Sequence, residues 1–282
     1  MKKKLIICLV IFIIIFISCA NFNTYQYKVT PETIGIKNDN IVIVWALYSL
    51  FERVPGSLDI FLDNQKESYW YLVEKNINED TFTIKGEKNI SAGCGIISHN
   101  NIIGLGNYFT GVKFLNSNTY QIIKSVNFSM GAFHDFTSDS NRFLFNNFKF
   151  SEYNFNNALS TQLLSYDVRD AKYCPINENS LAYVGETITA NNISGDLYTM
   201  NNDGTNIVPI LSGYNISKIY WHPNGNTIVF LNDTGVWSIN KDGSGLIKIM
   251  DFTLPAGYKS VALYYSLVAY IDKDRNVKVV RF

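Results

Sequence analysis

Three histidines, at positions 99, 134 and 222, are the only imidazoles in a chain of 282 residues, so acid–base or metal chemistry would have to start from them. No two stand at metal-ligand spacing. His222 lies in the turn Trp221 His222 Pro223 Asn224 Gly225, and His134 holds the matching place of another repeat; both read as structural rather than as general bases. His99, between Ser98 and Asn100, reads as a polar hairpin tip. Gly243 Ser244 Gly245 is not a nucleophile elbow of the Gly-x-Ser-x-Gly type, because it is part of a turn that begins at Asp242. Asn201 Asn202 Asp203 Gly204 offers one carboxylate where a calcium loop wants several. These residue types predict no catalytic, cofactor or metal centre.

The turns that absorb these residues belong to a repeat. Leu197 to Asn201, Asp203 Gly204 Thr205 and Ile210 Leu211 return as Val236 to Asn240, Asp242 Gly243 Ser244 and Ile249 Met250, 39 positions later and without a gap. Between the copies, Lys218 to Trp221 and Thr227 to Leu231 are β-branched and aromatic runs separated by Pro223 Asn224 Gly225. Proline fixes φ and glycine accepts the positive φ of a tight hairpin, so this segment reads as strand, turn, strand. One period then holds four strands, at 216–221, 227–231, 235–240 and 246–250. A fixed period near forty, written in short apolar runs and turn residues, predicts a row of four-stranded sheets.

Trp221 His222 Pro223 Asn224 Gly225 Asn226, the apolar Ile228 Val229 Phe230, and Val236 Trp237 Ser238 Ile239 followed by Asn240 Lys241 Asp242 Gly243 Ser244 resemble the repeat of the TolB-like β-propellers. His222 stands where that family carries serine and Asn224 where it carries aspartate. The resemblance covers about 195–250 and implies an all-β propeller that binds other proteins. Asp233 Thr234 Gly235 Val236 Trp237 resembles the Asp box of sialidase propellers but is one residue short, and no arginine cluster accompanies it.

Before the repeats lies a targeting segment, 1–18. Lys2, Lys3 and Lys4 precede an apolar stretch, 5–17, too short to span a bilayer, which takes about 20 residues. Ser18 Cys19 resembles a relaxed bacterial lipobox, with Phe16 where leucine is usual. That resemblance implies that Cys19 carries the lipid and becomes the mature N-terminus, with acyl chains such as palmitate holding the body on a membrane through a tether, 19–24. An uncleaved anchor helix is the other reading; both put the rest of the chain outside the cytoplasm. Ala20 after the cysteine favours the outer membrane in a diderm cell.

The propeller domain is expected over 25–282, with six four-stranded blades as the leading count and five or seven if the region before Asn89 is organised differently. Blade one is read at 33–36, 41–47, 57–62 and 69–74, with an extra strand at 81–84. Blade two falls at 90–94, 102–105, 111–115 and 120–124, and blade three at 128–134, 142–145, 151–155 and 161–166. Blade four is read at 171–174, 180–184, 196–200 and 207–211, with 185–194 as an insertion on one rim. The last blade has three strands, at 259–264, 267–271 and 277–282, and the early strand 25–29 is expected to pair with it and close the ring.

Charge and cysteines bound the partners. Basic and acidic residues balance at 24 each, and no polybasic patch appears, which argues against nucleic acid. Cys94 and Cys174 fall on first strands of non-neighbouring blades, too far apart for a disulfide, so two free, mostly buried thiols are expected. The reading is a monomeric, non-catalytic, lipid-anchored envelope scaffold for a protein partner. The alternative is an extracytoplasmic carbohydrate-binding or hydrolytic propeller that uses its central funnel as a pocket.

Overall fold

The computed structural model describes residues 25–52, 64–79, 81–86, 89–90, 92–189 and 192–282, and every regular element among them is a strand. The chain forms two compact units, a larger one of 31–46 and 71–282 and a smaller one of 1–30 and 47–70. What is described of the smaller unit consists of strand ends.

Six antiparallel sheets form the blades of a propeller. Blade one is β1 (Tyr25–Asn38), β2 (Ile41–Glu52), β3 (Asn64–Asn76) and β4 (Thr83–Lys85); blade two is β5 (Gly95–His99), β6 (Ile102–Asn107), β7 (Gly111–Asn116) and β8 (Ile122–Val126). Blade three is β9 (Ala132–Phe136), β10 (Arg142–Asn146), β11 (Phe150–Asn154) and β12 (Leu159–Gln162). Blade four is β13 (Val168–Cys174), β14 (Asn177–Thr189), β15 (Asn192–Asn201) and β16 (Val208–Leu211). Blade five is β17 (Lys218–Trp221), β18 (Thr227–Leu231), β19 (Gly235–Asn240) and β20 (Ile247–Asp251), and blade six is β21 (Ser260–Tyr264), β22 (Leu267–Ile271) and β23 (Val277–Arg281). Each blade is a simple meander, so strand one runs up the axis, strand two down, and so on outward.

The apolar runs make this shape because both faces of a blade are buried. Successive side chains of a strand point to opposite faces. In β10, Phe143 and Phe145 pack with Phe114 of blade two while Leu144 packs with Leu181 and Tyr183 of blade four. In β18, Ile228 and Phe230 face blade four, and Val229 and Leu231 face blade six. A second strand therefore reads as an unbroken apolar word. Gly111 shows where a side chain is forbidden: its φ is +78°, and a Cβ there would lie 2.1 Å from the Val126 carbonyl oxygen.

First strands line the axis, and their inward edge leaves amides without a ladder partner. Side chains of the neighbouring first strand supply acceptors. The Tyr173 amide donates to Asp135 Oδ2 at 2.8 Å, the Ile219 amide to Asp170 Oδ2 at 3.0 Å, and the Ile34 amide to Ser260 Oγ at 3.3 Å.

Several boundaries differ from the sequence expectation. Residues 25–29 do not close the ring: they begin β1, which is hydrogen-bonded to β2, and the last sheet carries three strands. The seam is instead latched by side chains, as Tyr265 Oη donates to Asp39 Oδ2 at 3.0 Å, Ser266 Oγ to Asp39 Oδ1, and Arg275 Nη1 to the Pro31 carbonyl at 3.1 Å. Segment 69–74 belongs to the third strand of blade one, with Thr83–Lys85 as the fourth; the expected strand 57–62 lies outside the described residues. Blade two starts at Gly95 rather than 90, and blade three at Ala132 rather than 128, because Ile90, Ala92 and Met130 are buried connector residues. The expected insertion 185–194 is a prolonged hairpin whose ladder runs from Gly185↔Asp196 to Thr189↔Asn192. Cys94 and Cys174 are both free, the first half-buried and the second buried.

Candidate functional site: an axial channel and an aromatic face

Two features could meet another molecule. The first is the channel on the axis, which all six first strands line: an inner chamber of about 350 Å³ opens into a funnel of about 650 Å³, and the two share Ser98, His99, Lys172, Tyr220 and Tyr264. The funnel mouth is built from turns between first and second strands, including Asn100, Asn101, Pro175 and Pro223.

Several polar groups in this channel pair with one another, while the buried His134 Nε2 has no hydrogen-bond partner. His99 is the end of β5 rather than a hairpin tip, and its Nε2 meets Asp135 Oδ1 at 2.6 Å. His134 is buried in β9, its ring 5.9 Å from that of Phe150, and its Nδ1 faces Asp170 Oδ1 at 3.8 Å. Burial pushes the His134 pKa below its ordinary value, against the pull of the Asp170 carboxylate. Burial alone would raise the Asp170 pKa, but the Lys172 and Lys218 ammoniums at 3.5 and 3.9 Å and the imidazole hold it well below the usual carboxylate range. Lys172 also donates to the His134 carbonyl.

The second feature is the face formed by turns between second and third strands and by the connections from one blade to the next. Among the described residues, the exposed aromatics are Tyr108, Phe109, Phe148, Tyr166 and Tyr258, and all five lie on this face. Phe109 and Phe148 occupy equivalent hairpin tips of blades two and three and are 84% and 89% exposed. The Asn107 side chain fixes the first tip by accepting the Phe109 and Thr110 amides, both at 3.0 Å. Phe148 has φ +60°, the left-handed region that bulky residues avoid. The prolonged β14–β15 hairpin rises from the same face.

The remaining sequence candidates are placed simply. Cys19, the expected lipid site, lies outside the described residues, as do 1–18 and 19–24. His222 Nδ1 accepts the Asn224 amide at 3.2 Å within its turn. Ser244 Oγ donates to Asp242 Oδ1 at 2.6 Å, which is turn chemistry and not nucleophile activation. Among the described residues no three His, Cys, Asp or Glu side chains converge as a metal site. Sequence reading missed the channel cluster and both phenylalanine tips. The signals were present: His134 Asp135 interrupts an apolar first strand, and Asn147 Phe148 Lys149 puts an aromatic where a hairpin wants Asn or Gly.

The class is now defined: a six-bladed β-propeller with a polar axial channel and one aromatic face. Among solved structures it is similar to TolB from Agrobacterium tumefaciens, at 12% identity over 92% of this chain and 91% of that one, with a TM-score of 0.53. Similar too are a chain of Kuenenia stuttgartiensis hydrazine synthase (10% identity, 93% and 97% covered, TM-score 0.53) and a chain of a mitotic checkpoint complex (13%, 91% and 91%, 0.54). The fold is TolB-like. No family model and no curated protein matches the sequence.

Proposed function

We propose that this protein is a non-catalytic scaffold, held at the cell envelope by a lipid on Cys19, that binds another protein through its aromatic face. The observation that carries the reading is the confinement of every described exposed aromatic to one side of the ring. Aromatics are enriched at protein interfaces, where they bury large area with little loss of side-chain freedom. Neither folding nor solubility accounts for Phe148, which is fully solvated at a strained turn position. The channel carboxylates Asp135, Asp170 and Glu32 are held by His99, by Lys172 and Lys218, and by Arg275, which leaves them ill placed for the two-carboxylate chemistry of glycoside hydrolysis. The protein acts as a monomer, without nucleic acid, outside the cytoplasm, on the outer membrane or the periplasmic face if the cell is diderm.

A photo-crosslinking phenylalanine analogue at 109 or 148 in intact cells tests the face. The expected result is one discrete protein adduct from either position and none from position 242, in the turn between the third and fourth strands of blade five on the opposite side of the ring. Absence of adducts at both positions overturns the scaffold reading. Separately, Cys19→Ala is expected to release the protein from the membrane fraction, and continued membrane association would remove the anchor.

A further inference from the structure

The inner chamber has a charge imbalance that the scaffold reading does not use. Its charged lining residues are Lys172, Lys218, Lys259, Asp170 and Glu32. Glu32 is already neutralised by Arg275, which does not line the chamber, so three ammoniums line it against one remaining carboxylate, Asp170, which has Lys172 and Lys218 beside it. That carboxylate is buried, at 3% side-chain exposure, and one of its oxygens is taken by the Ile219 amide. The other has Lys172 at 3.5 Å and Lys218 at 3.9 Å, both beyond hydrogen-bond length.

An ammonium has three donors. Of the six on Lys172 and Lys218, one goes to the His134 carbonyl, and the Lys259 ammonium makes no hydrogen bond or ion pair among the described residues. The chamber therefore has spare donors and more positive charge than its carboxylates balance. It lies beside Tyr220 and Tyr264, whose rings are 4.8 Å apart and form a wall. Lys259 is exposed at the rim, and a concave site of net positive charge concentrates the opposite charge.

We propose that the inner chamber is a binding site for a small organic anion, whose carboxylate or phosphate oxygens take the free donors of Lys218 and Lys259 and complete the charge balance around Asp170. Lysine suits this role as a point charge that tolerates either oxyanion geometry. Volume sets the size of the occupant: about 350 Å³ is at the lower end for ligand pockets, which fits a single small metabolite and not a polymer. The chamber shares Tyr108 with the aromatic face but none of its lysines, so substitutions at Lys218 or Lys259 and at Phe109 or Phe148 test the two sites separately.

Titration calorimetry with citrate and with inorganic phosphate, at fixed ionic strength made up with chloride, tests it on the purified full chain. At least one probe is expected to bind with one-to-one stoichiometry and a Kd below about 1 mM. Lys218→Gln should weaken that Kd about tenfold, the worth of one charge-assisted contact, and Lys218→Arg should restore it to within about threefold. Lys259→Gln gives a second weakening that does not touch the Asp170 cluster, and Lys241→Gln, in an exposed turn, should leave binding unchanged. Heats from both probes equal to those from chloride overturn the proposal. Equal affinity in wild type, Lys218→Gln and Lys259→Gln does so as well.

Discussion

Replacing Asp170 separates the two tasks of its carboxylate. Asparagine keeps an acceptor for the Ile219 amide but removes the charge that faces Lys172 and Lys218. Lys172 is only 15% exposed, so losing its counter-charge should cost about 3 kcal/mol, the low end for breaking a buried pair. Lys218, 33% exposed and 3.9 Å away, adds little after solvent screening. Alanine in addition orphans the buried amide, for a further ~1–3 kcal/mol. The expected losses, about 3 kcal/mol for Asp170→Asn and about 4–6 for Asp170→Ala, are a large part of the 5–15 typical of a domain. Urea unfolding at pH 7 reads them directly. The pH dependence is a second check. A depressed carboxylate pKa stabilises the fold at neutral pH, and that contribution is lost as pH falls below the ordinary value of 3.8. His134 is depressed too, so the unfolded chain takes its proton first and stability starts to fall below pH 6.5. Asp170→Asn should shrink the lower limb, to which depressed carboxylates such as Glu74 and Asp139 also contribute, and keep the upper one. An asparagine variant within about 1 kcal/mol of wild type, with both limbs intact, would refute this account of the channel.

Phe148→Gly should stabilise the ring by ~1 kcal/mol in urea melts, since glycine adopts φ +60° without strain, and a loss of stability would show that the ring makes contacts in the free protein. Asp39→Ala removes the acceptor for Tyr265 and Ser266 at the seam and should cost about 1–3 kcal/mol, with amide exchange rising first in β21–β23; uniform exchange would contradict the latch. Burial pushes the Cys94 thiol up to about 12, and Cys174 is buried, so a thiol reagent should label neither before unfolding, and a reductant should not shift Tm.

The legible part of the fold was the part where local and tertiary signals agree. In blade five, turn residues and apolar runs coincide, and the expected 227–231 and 235–240 match β18 and β19. Blade one failed where they part: Asn64, Gln65 and Lys66 look like a turn but open the long strand β3, because ladder pairing overrides side-chain preference. Connectors such as Ile90 and Ala92 imitate strands, since they too are buried between blades. The channel cluster carried one local signal, His134 Asp135, but its partners were hidden for another reason. Asp135 on β9, Asp170 with Lys172 on β13, and Lys218 on β17 are far apart in the chain and meet only when first strands of successive blades stand side by side, which no single repeat encodes.

The seam shows how a propeller closes without sharing a strand. Among the described residues blade six has three strands and β23 is its outer edge, and β23 carries Lys278 and Arg281, charges that discourage edge pairing. Arg281 turns back to the Asp39 carbonyl and to Asn40 Oδ1, at 3.0 Å, while Arg275 reaches Glu32 and the Pro31 carbonyl. Inside, Ser260 takes the Ile34 amide, the same device by which Asp135 and Asp170 join blades three to four and four to five. At the seam a neutral hydroxyl stands where the other two junctions have a buried carboxylate, and hydrogen bonds to charged groups are about twice as strong as neutral ones. Blade six should therefore be the first to detach as the ring opens, and the two carboxylate junctions the last.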